Sequence, residues 1–283
     1  MNTYLAKCYE EIYSQRFPGR GSEQDTKKIQ VLLGLGGHSG AAWAKTLVHV
    51  NDVNHVVIFN SFDDGGSTRV TSTFTHTQAV GDFRNTLEAI LLEEGKNDIQ
   101  QIFHKRIPGR NVLNSSDLTE FDEIRHEVAE FFKMHPLGVT NEEVQTVLDA
   151  YFSECVKPGN LSYRLKVDGS PTDHSIGNII MAIMMKLRGG FNGMVEAFKE
   201  VGFIPHNVYP ICMTDDEVTD LAYIKEGKII LRGESQIEAH NQPIPFEEIR
   251  LLHKTGDDEY ILDNPFIKGI LQIADLIHIP PTS

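Results

Sequence analysis

KIQVLLGLGGHSGAAWAKTLVHVNDVNHVVIFN, residues 28–60, reads as strand, glycine turn, helix, strand. KIQVLLGL (28–35) is a short apolar run with the length of a buried strand, and HVVIFN (55–60) is a second one rich in Val and Ile. Between them AAWAKTLVHV has the composition of a helix. Two strands joined by a helical crossover pair in parallel, so the stretch predicts an α/β protein with a mostly parallel open sheet.

The turn itself holds Gly34, Gly36, Gly37 and Gly40. It is not a P-loop, because Ser39 and Ala44 stand where the motif ahead of Lys45-Thr46 needs glycines. It misses the dinucleotide fingerprint at Ser39, and no ribose-binding acid follows the second strand, which ends in Asn60-Ser61. Glycines at a helix N-terminus let backbone N–H groups approach an anion, although a tight turn that only packs helix on sheet has the same composition.

Outward from this unit, FNSFDDGGSTRV (59–70) ends the second strand with two carboxylates and two glycines. Asp and Gly are good turn residues. Asp63 and Asp64 at a strand end also suit a hard cation shared with a diphosphate, with Asp82 on the next turn as a further ligand and Ser67 and Arg69 as donors to the anion. GDFRN (81–85) then sets Gly81, Asp82, Arg84 and Asn85 at the start of a helix whose Leu87, Ile90 and Leu91 share a face. Polar clusters on two strand-end loops are where open α/β sheets bind ligands.

Residues 3–14 predict a short helix and 17–28 a polar connector, so 1–29 is taken as a helix and linker and 30–283 as the binding domain. From about 82 to 156 the pattern is a helical insertion, SYRLKV (162–167) predicts a strand, and IGNIIMAIMMKL (176–187) predicts a buried helix, apolar nearly all round. VTDLAYIKEGKIILRGESQI (218–237) predicts a β-hairpin, followed by a helix in NPFIKGILQIA and a last run in DLIHI.

Composition narrows the function. Forty acids against 26 bases give a formal charge of −14, which excludes the basic footprint of a nucleic-acid binder. No apolar run reaches membrane-spanning length, the N-terminus lacks a signal-peptide core, and three scattered cysteines suit a reducing compartment, so a cytoplasmic location is expected.

In order, GLGGHSG, DDGGST, GDFRN, DHSIGN (173–178), GESQI (233–237) and ADLIHIPPTS (274–283) resemble the motifs of the family containing 2-phospho-lactate transferase and the YvcK-type gluconeogenesis factors. The resemblance implies a Rossmann-like sheet with a nucleotide-diphosphate site. It implies that Gly36, Gly37, His38, Ser39 and Gly40 cradle phosphate and that Asp63 and Asp82 hold Mg²⁺. Asp64, Gly65, Gly66, Ser67, Gly81, Arg84, Asn85, His174 and Asn178 would line the ligand; His174, beside Asp173 at a helix start, could equally serve a cap. His38 replaces a family glycine, Asp173 and Ser175 depart from the family's GHNxGN, and Pro280 and Thr282 stand where its terminal loop has glycines. The family continues past that loop, so the chain is expected either to be incomplete at its C-terminus or to do without that part, leaving a sheet edge that favours pairing, for example with a second copy, or lower stability.

Three functions are carried forward: a nucleotide-sugar-binding regulator of the YvcK type, a Mg²⁺-dependent transferase acting on a nucleoside-diphosphate donor, and an NAD(P)-binding Rossmann protein. No catalytic residue is assigned.

Overall fold

A computed structural model describes residues 3–17, 26–33, 37–59, 66–110, 118–166, 169–212, 219–233, 247–253, 256, 258–259 and 264–279. Strand β1 (Lys28–Leu33) runs into helix α2 (Gly37–His49) and then into strand β2 (Val53–Phe59), with Val31 opposite Val56 in a parallel ladder. Strand β5 (Val208–Cys212) adds in parallel to β2, and the short β9 (Leu276–His278) adds in parallel to β1. The order β5-β2-β1-β9 makes β2 and β1 central. From Asn54 on, every residue of β2 is buried, as expected of a strand covered on both faces. The chain is therefore an α/β protein with a mostly parallel, Rossmann-like sheet flanked by helices.

Helix α1 (Thr3–Arg16) crosses this sheet near the amino ends of its strands. Tyr4 Oη donates to the Pro210 carbonyl of β5, and Tyr209 Oη donates to Glu11. Asn54 of β2 donates to Gln15, and Arg16 reaches Asp275 just ahead of β9. Tyr4, Leu5, Cys8 and Ile12 sit in the same core as the strands.

Beyond β2 the chain is helical: α3 (Gly66–Thr75), α4 (Gly81–Glu93), α5 (Asn97–His104), α6 (Thr119–Met134) and α7 (Asn141–Cys155). Thr140 opens α7 with a capping box, exchanging bonds with Glu143. Helix α8 (Ile176–Arg188) is buried from Ile176 through Met185, capped by Ser175 and ended by Gly189 at φ 76°. It leads into α9 (Phe191–Glu200).

The strand expected over 162–167 is not formed by its described residues, 162–166. Residues 158–164 form a 3₁₀ helix, and SYRLKV contributes only a single bridge, Leu165 to Pro171. Its alternation does not bury apolar side chains: the residue taken inside is Arg164, held by a carboxylate. Two-residue strands β3 (Arg106–Ile107) and β4 (His174–Ser175) pair antiparallel across the insertion.

The hairpin is present as β6 (Thr219–Lys225) and β7 (Lys228–Arg232), turning at Glu226 (φ 51°) and Gly227 (φ 71°) as a two-residue loop requires. A third strand, β8 (Glu248–His253), pairs with the other side of β6. Helix α10 (Pro265–Ile273), capped by Asn264, returns the chain to β9. No described helix is long and apolar enough to cross a membrane.

Candidate functional site

The site is built where the first turns of α3, α4 and α8 meet. Helix α3 starts after β2, and α2 after β1, so both open on the carboxyl side of the parallel sheet, the side that binds ligands in such folds. The amide of Asn178, in the first turn of α8, lies 3.2 Å from both Ser67 Oγ and Thr68 Oγ1 in the first turn of α3. Gly177 brings α8 against α4 and α5: a Cβ there would lie 2.5 Å from the Phe103 carbonyl oxygen and 2.8 Å from Arg84 Cδ. The first turn of a helix carries backbone N–H groups without intrahelical partners and a partial positive charge; in α8 two of these are already taken, Ile176 N–H by the Lys105 carbonyl and Asn178 N–H by Ser175 Oγ.

The expected site residues divide into three groups. Gly66, Ser67 and Asn178 come together at this junction, and Gly81, Asp82 and Asn85 lie on the first turn or two of α4. Gly36, Asp63, Asp64 and Gly65 lie outside the described residues, while Gly37, His38, Ser39 and Gly40 form the first turn of α2 with side chains outside the description. Arg84 and His174 are turned inward.

Arg84 makes its described hydrogen bonds within the protein. Its guanidinium donates to Glu88 at 2.5 Å, to Asn85 Oδ1 at 2.6 Å and to the Phe103 carbonyl at 3.5 Å, and Glu88 in turn contacts His104 at 2.9 Å. These bonds tie α4 to the end of α5. His174 is buried between α6 and α7, where its Nδ1 shares a 2.9 Å hydrogen bond with Tyr151 Oη. Its Nε2 lies 3.7 Å from Glu120, and the side chain is part of a buried polar network. Burial, reinforced by the charge of Arg164, pulls its pKa down to about 4.

For a metal, the described residues contain no group of three His, Cys, Asp or Glu side chains able to hold one. Asp82 is a single carboxylate in the first turn of α4. Mg²⁺ is commonly bound by one or two carboxylates together with substrate phosphates and waters, so Asp82 fits a phosphate-dependent metal and not a protein-only cage.

One residue at the junction was not foreseen. Arg106, exposed on β3, places Nη1 3.4 Å from Ser67 Oγ. Its only sequence signal is the basic pair Lys105-Arg106, which by itself suggests nothing. The cavity between α6 and α7, of about 320 Å³ and lined by Phe121, Arg125, Asp149 and Phe152, lies away from these residues.

Residues 31–283 match the model of the family described as 2-phospho-L-lactate transferase CofD. A candidate gluconeogenesis factor of Lactococcus lactis subsp. lactis (strain IL1403) is 27% identical over 124 residues, which is 44% of this chain and 36% of that protein. The solved structure of protein BH3568 from Bacillus halodurans superimposes with a TM-score of 0.50 at 20% identity, over 90% of this chain and 59% of that one. A second structure of that protein, assigned to the UPF0052 family, gives 0.48 at 19% identity over the same shares. The matches thus span well under two thirds of the relatives' own lengths.

Proposed function

This chain belongs to the 2-phospho-L-lactate transferase CofD family, and from that premise we propose that it binds a nucleoside diphosphate, in the form of a nucleotide sugar, as a regulator of the YvcK type in carbon or cell-envelope metabolism. The observation that carries the reading is the meeting of the N-terminal turns of α3 and α8, joined by Asn178 on Ser67 and Thr68, with the Arg84 side chain of α4 packed on α8 at Gly177. Backbone N–H groups of several helices in one place suit a ligand with several anionic groups. Mg²⁺, held by Asp82 with Asp63 as its expected partner, would neutralise part of the diphosphate charge. The buried cysteines Cys8, Cys155 and Cys212, none of them in a disulfide, suit a reducing, cytoplasmic setting.

The second reading, a Mg²⁺-dependent transferase moving a phosphoryl-linked group, is favoured by the family description, which names such an enzyme. In either reading this chain's residues orient and neutralise the diphosphate; in the second, that stabilises a departing phosphate.

Thermal melting with UDP-GlcNAc, UDP-glucose, GDP, NAD and NADP, each with and without Mg²⁺, tests the proposal. A ligand at 100 times its Kd stabilises by about 2.7 kcal/mol, roughly 5–11 °C for a chain of this size. A shift with a nucleotide sugar or nucleoside diphosphate is expected, larger with Mg²⁺. A shift confined to the nicotinamide dinucleotides, or none, overturns it. Turnover of the bound donor selects the transferase.

A further inference from the structure

We propose that Arg106, which lies outside every motif of the family resemblance, is the cationic clamp on a phosphoryl group held at the N-terminus of α3, with one companion donor from the Ser67–Asn178 pair: the Ser67 hydroxyl, or the Asn178 NH₂ when the amide is turned over. The inference rests on the diphosphate reading above and assigns within it the residue that meets the charge.

Ser67 Oγ receives Arg106 Nη1 at 3.4 Å and Asn178 Nδ2 at 3.2 Å, so its two acceptor positions are filled and its own O–H is left to donate. A guanidinium carries five N–H groups, and Arg106 directs one of them at Ser67. No carboxylate among the described residues lies within ion-pair distance of Arg106, whereas its neighbours Lys105 and Arg110 are paired with Glu127 and Glu123. In a chain with 40 acids and 26 bases, a cation at a helix N-terminus without an acid partner among the described residues is informative.

Asn178 supplies the independent observation. It is 1% exposed, its side chain is aimed at the first turn of α3, and its Oδ1 has no hydrogen-bond partner. Leaving a buried amide oxygen unpaired costs about 1–3 kcal/mol. With the amide turned over, Oδ1 accepts from the Ser67 and Thr68 hydroxyls and the unpaired position passes to the NH₂ group, which then takes the place of the Ser67 hydroxyl as the donor beside Arg106. The junction then lacks only an acceptor, and a phosphoryl oxygen is one.

The placement is rigid. Arg106 is paired with Ser175 across the β3–β4 ladder, the Ile176 N–H bonds the Lys105 carbonyl, and Ser175 Oγ accepts from the Asn178 N–H. The ladder thereby sets the Arg106 backbone beside the first turn of α8, which carries Asn178, and both side chains reach Ser67.

Calorimetric titration of wild type, Arg106→Gln and Arg106→Lys with inorganic pyrophosphate and with GDP and UDP-glucose tests the assignment. Arg106→Gln is expected to weaken pyrophosphate by about 10–100-fold, with ligand-free melting unchanged because Arg106 is exposed. Arg106→Lys should recover part of the loss, since a point charge replaces the fork. Equal affinity of wild type and Arg106→Gln for a ligand that both bind overturns the clamp and leaves the diphosphate reading standing. A wild type that binds none of these ligands overturns both. A ligand-free melting temperature lowered in Arg106→Gln reassigns the residue to structure.

Discussion

Glu120 has no solvent exposure, yet it accepts from the guanidinium of Arg164, itself 4% exposed, and from the backbone N–H of Arg110 at 2.5 Å. A buried carboxylate is tolerable only with such partners. The ring of Phe121 lies 5.2 Å from the Arg164 guanidinium and covers it. His174 completes this network in its neutral form, and that has a pH consequence with a definite sign. In the unfolded chain the imidazole titrates near 6.5, while burial and the Arg164 charge hold the folded value at about 4. Between those values the unfolded chain takes up a proton that the native state refuses, so acid costs up to about 3 kcal/mol of stability. His55 and His135 are also lowered by burial, so the wild-type curve contains their share. Melting of wild type and His174→Gln from pH 7 to 4.5 isolates His174: the wild type should lose more on acidification. Parallel curves would show that His174 is not held neutral. The motif DHSIGN placed His174 near the ligand in the sequence reading. What the motif does not contain is Glu120, Tyr151 and Arg164, which lie 54, 23 and 10 positions earlier and draw the ring inward.

At the scale of elements, legibility followed the strength of the periodic signal. Helices α4 and α8 read correctly because their apolar spacing is long and regular, whereas the shorter α5 and α9 were not singled out. Helix α3 was missed: GSTRVTSTFT is dominated by β-branched and hydroxyl residues with weak helical preference, and tertiary burial of Val70 and Phe74 overrides it. Strand β5 was missed because VYPIC carries Pro210, which a central strand would not accept; β5 lies at the sheet edge, where the lost N–H is tolerated. The contact between elements that the site depends on is at Gly177. Adding a methyl there meets a backbone oxygen, Phe103 O, which cannot yield as a side chain end can. Gly177→Ala should therefore push α8 away from α4 and α5 and destabilise the fold by about 1–3 kcal/mol. It should also disturb the contact of Asn178 with α3. Chemical denaturation checks the first effect and pyrophosphate titration the second. A stable variant with full affinity would mean that the three helix ends are not mutually constrained.

At the scale of the molecule, the sheet order explains why the outline was legible and the site only in part. A βαβ signal at 28–60 implies neighbouring parallel strands, and β1 and β2 are those neighbours. Nothing local announces that β9, more than 240 residues later, pairs with β1, or that α1 straps the amino ends of the strands through Arg16 and Asp275. Arg106 was illegible for the same reason: its meaning depends on a ladder between residues 106 and 175. The whole-chain charge of −14 adds a prediction of its own. An anionic ligand approaching this surface is repelled at long range and attracted only near the donors of the site. At 0.01 M salt the Debye length is about 30 Å, so the net charge acts on the approaching ligand; at 0.15 M it is about 8 Å, and only nearby groups act. The association rate of GDP, measured by stopped flow without Mg²⁺, should therefore rise as salt increases over that range. Arg106→Gln should show the steeper rise, having lost the local attraction that offsets the field. A rate that falls with salt in the wild type would mean that the cations of the site, and not the net charge, govern the ligand's approach.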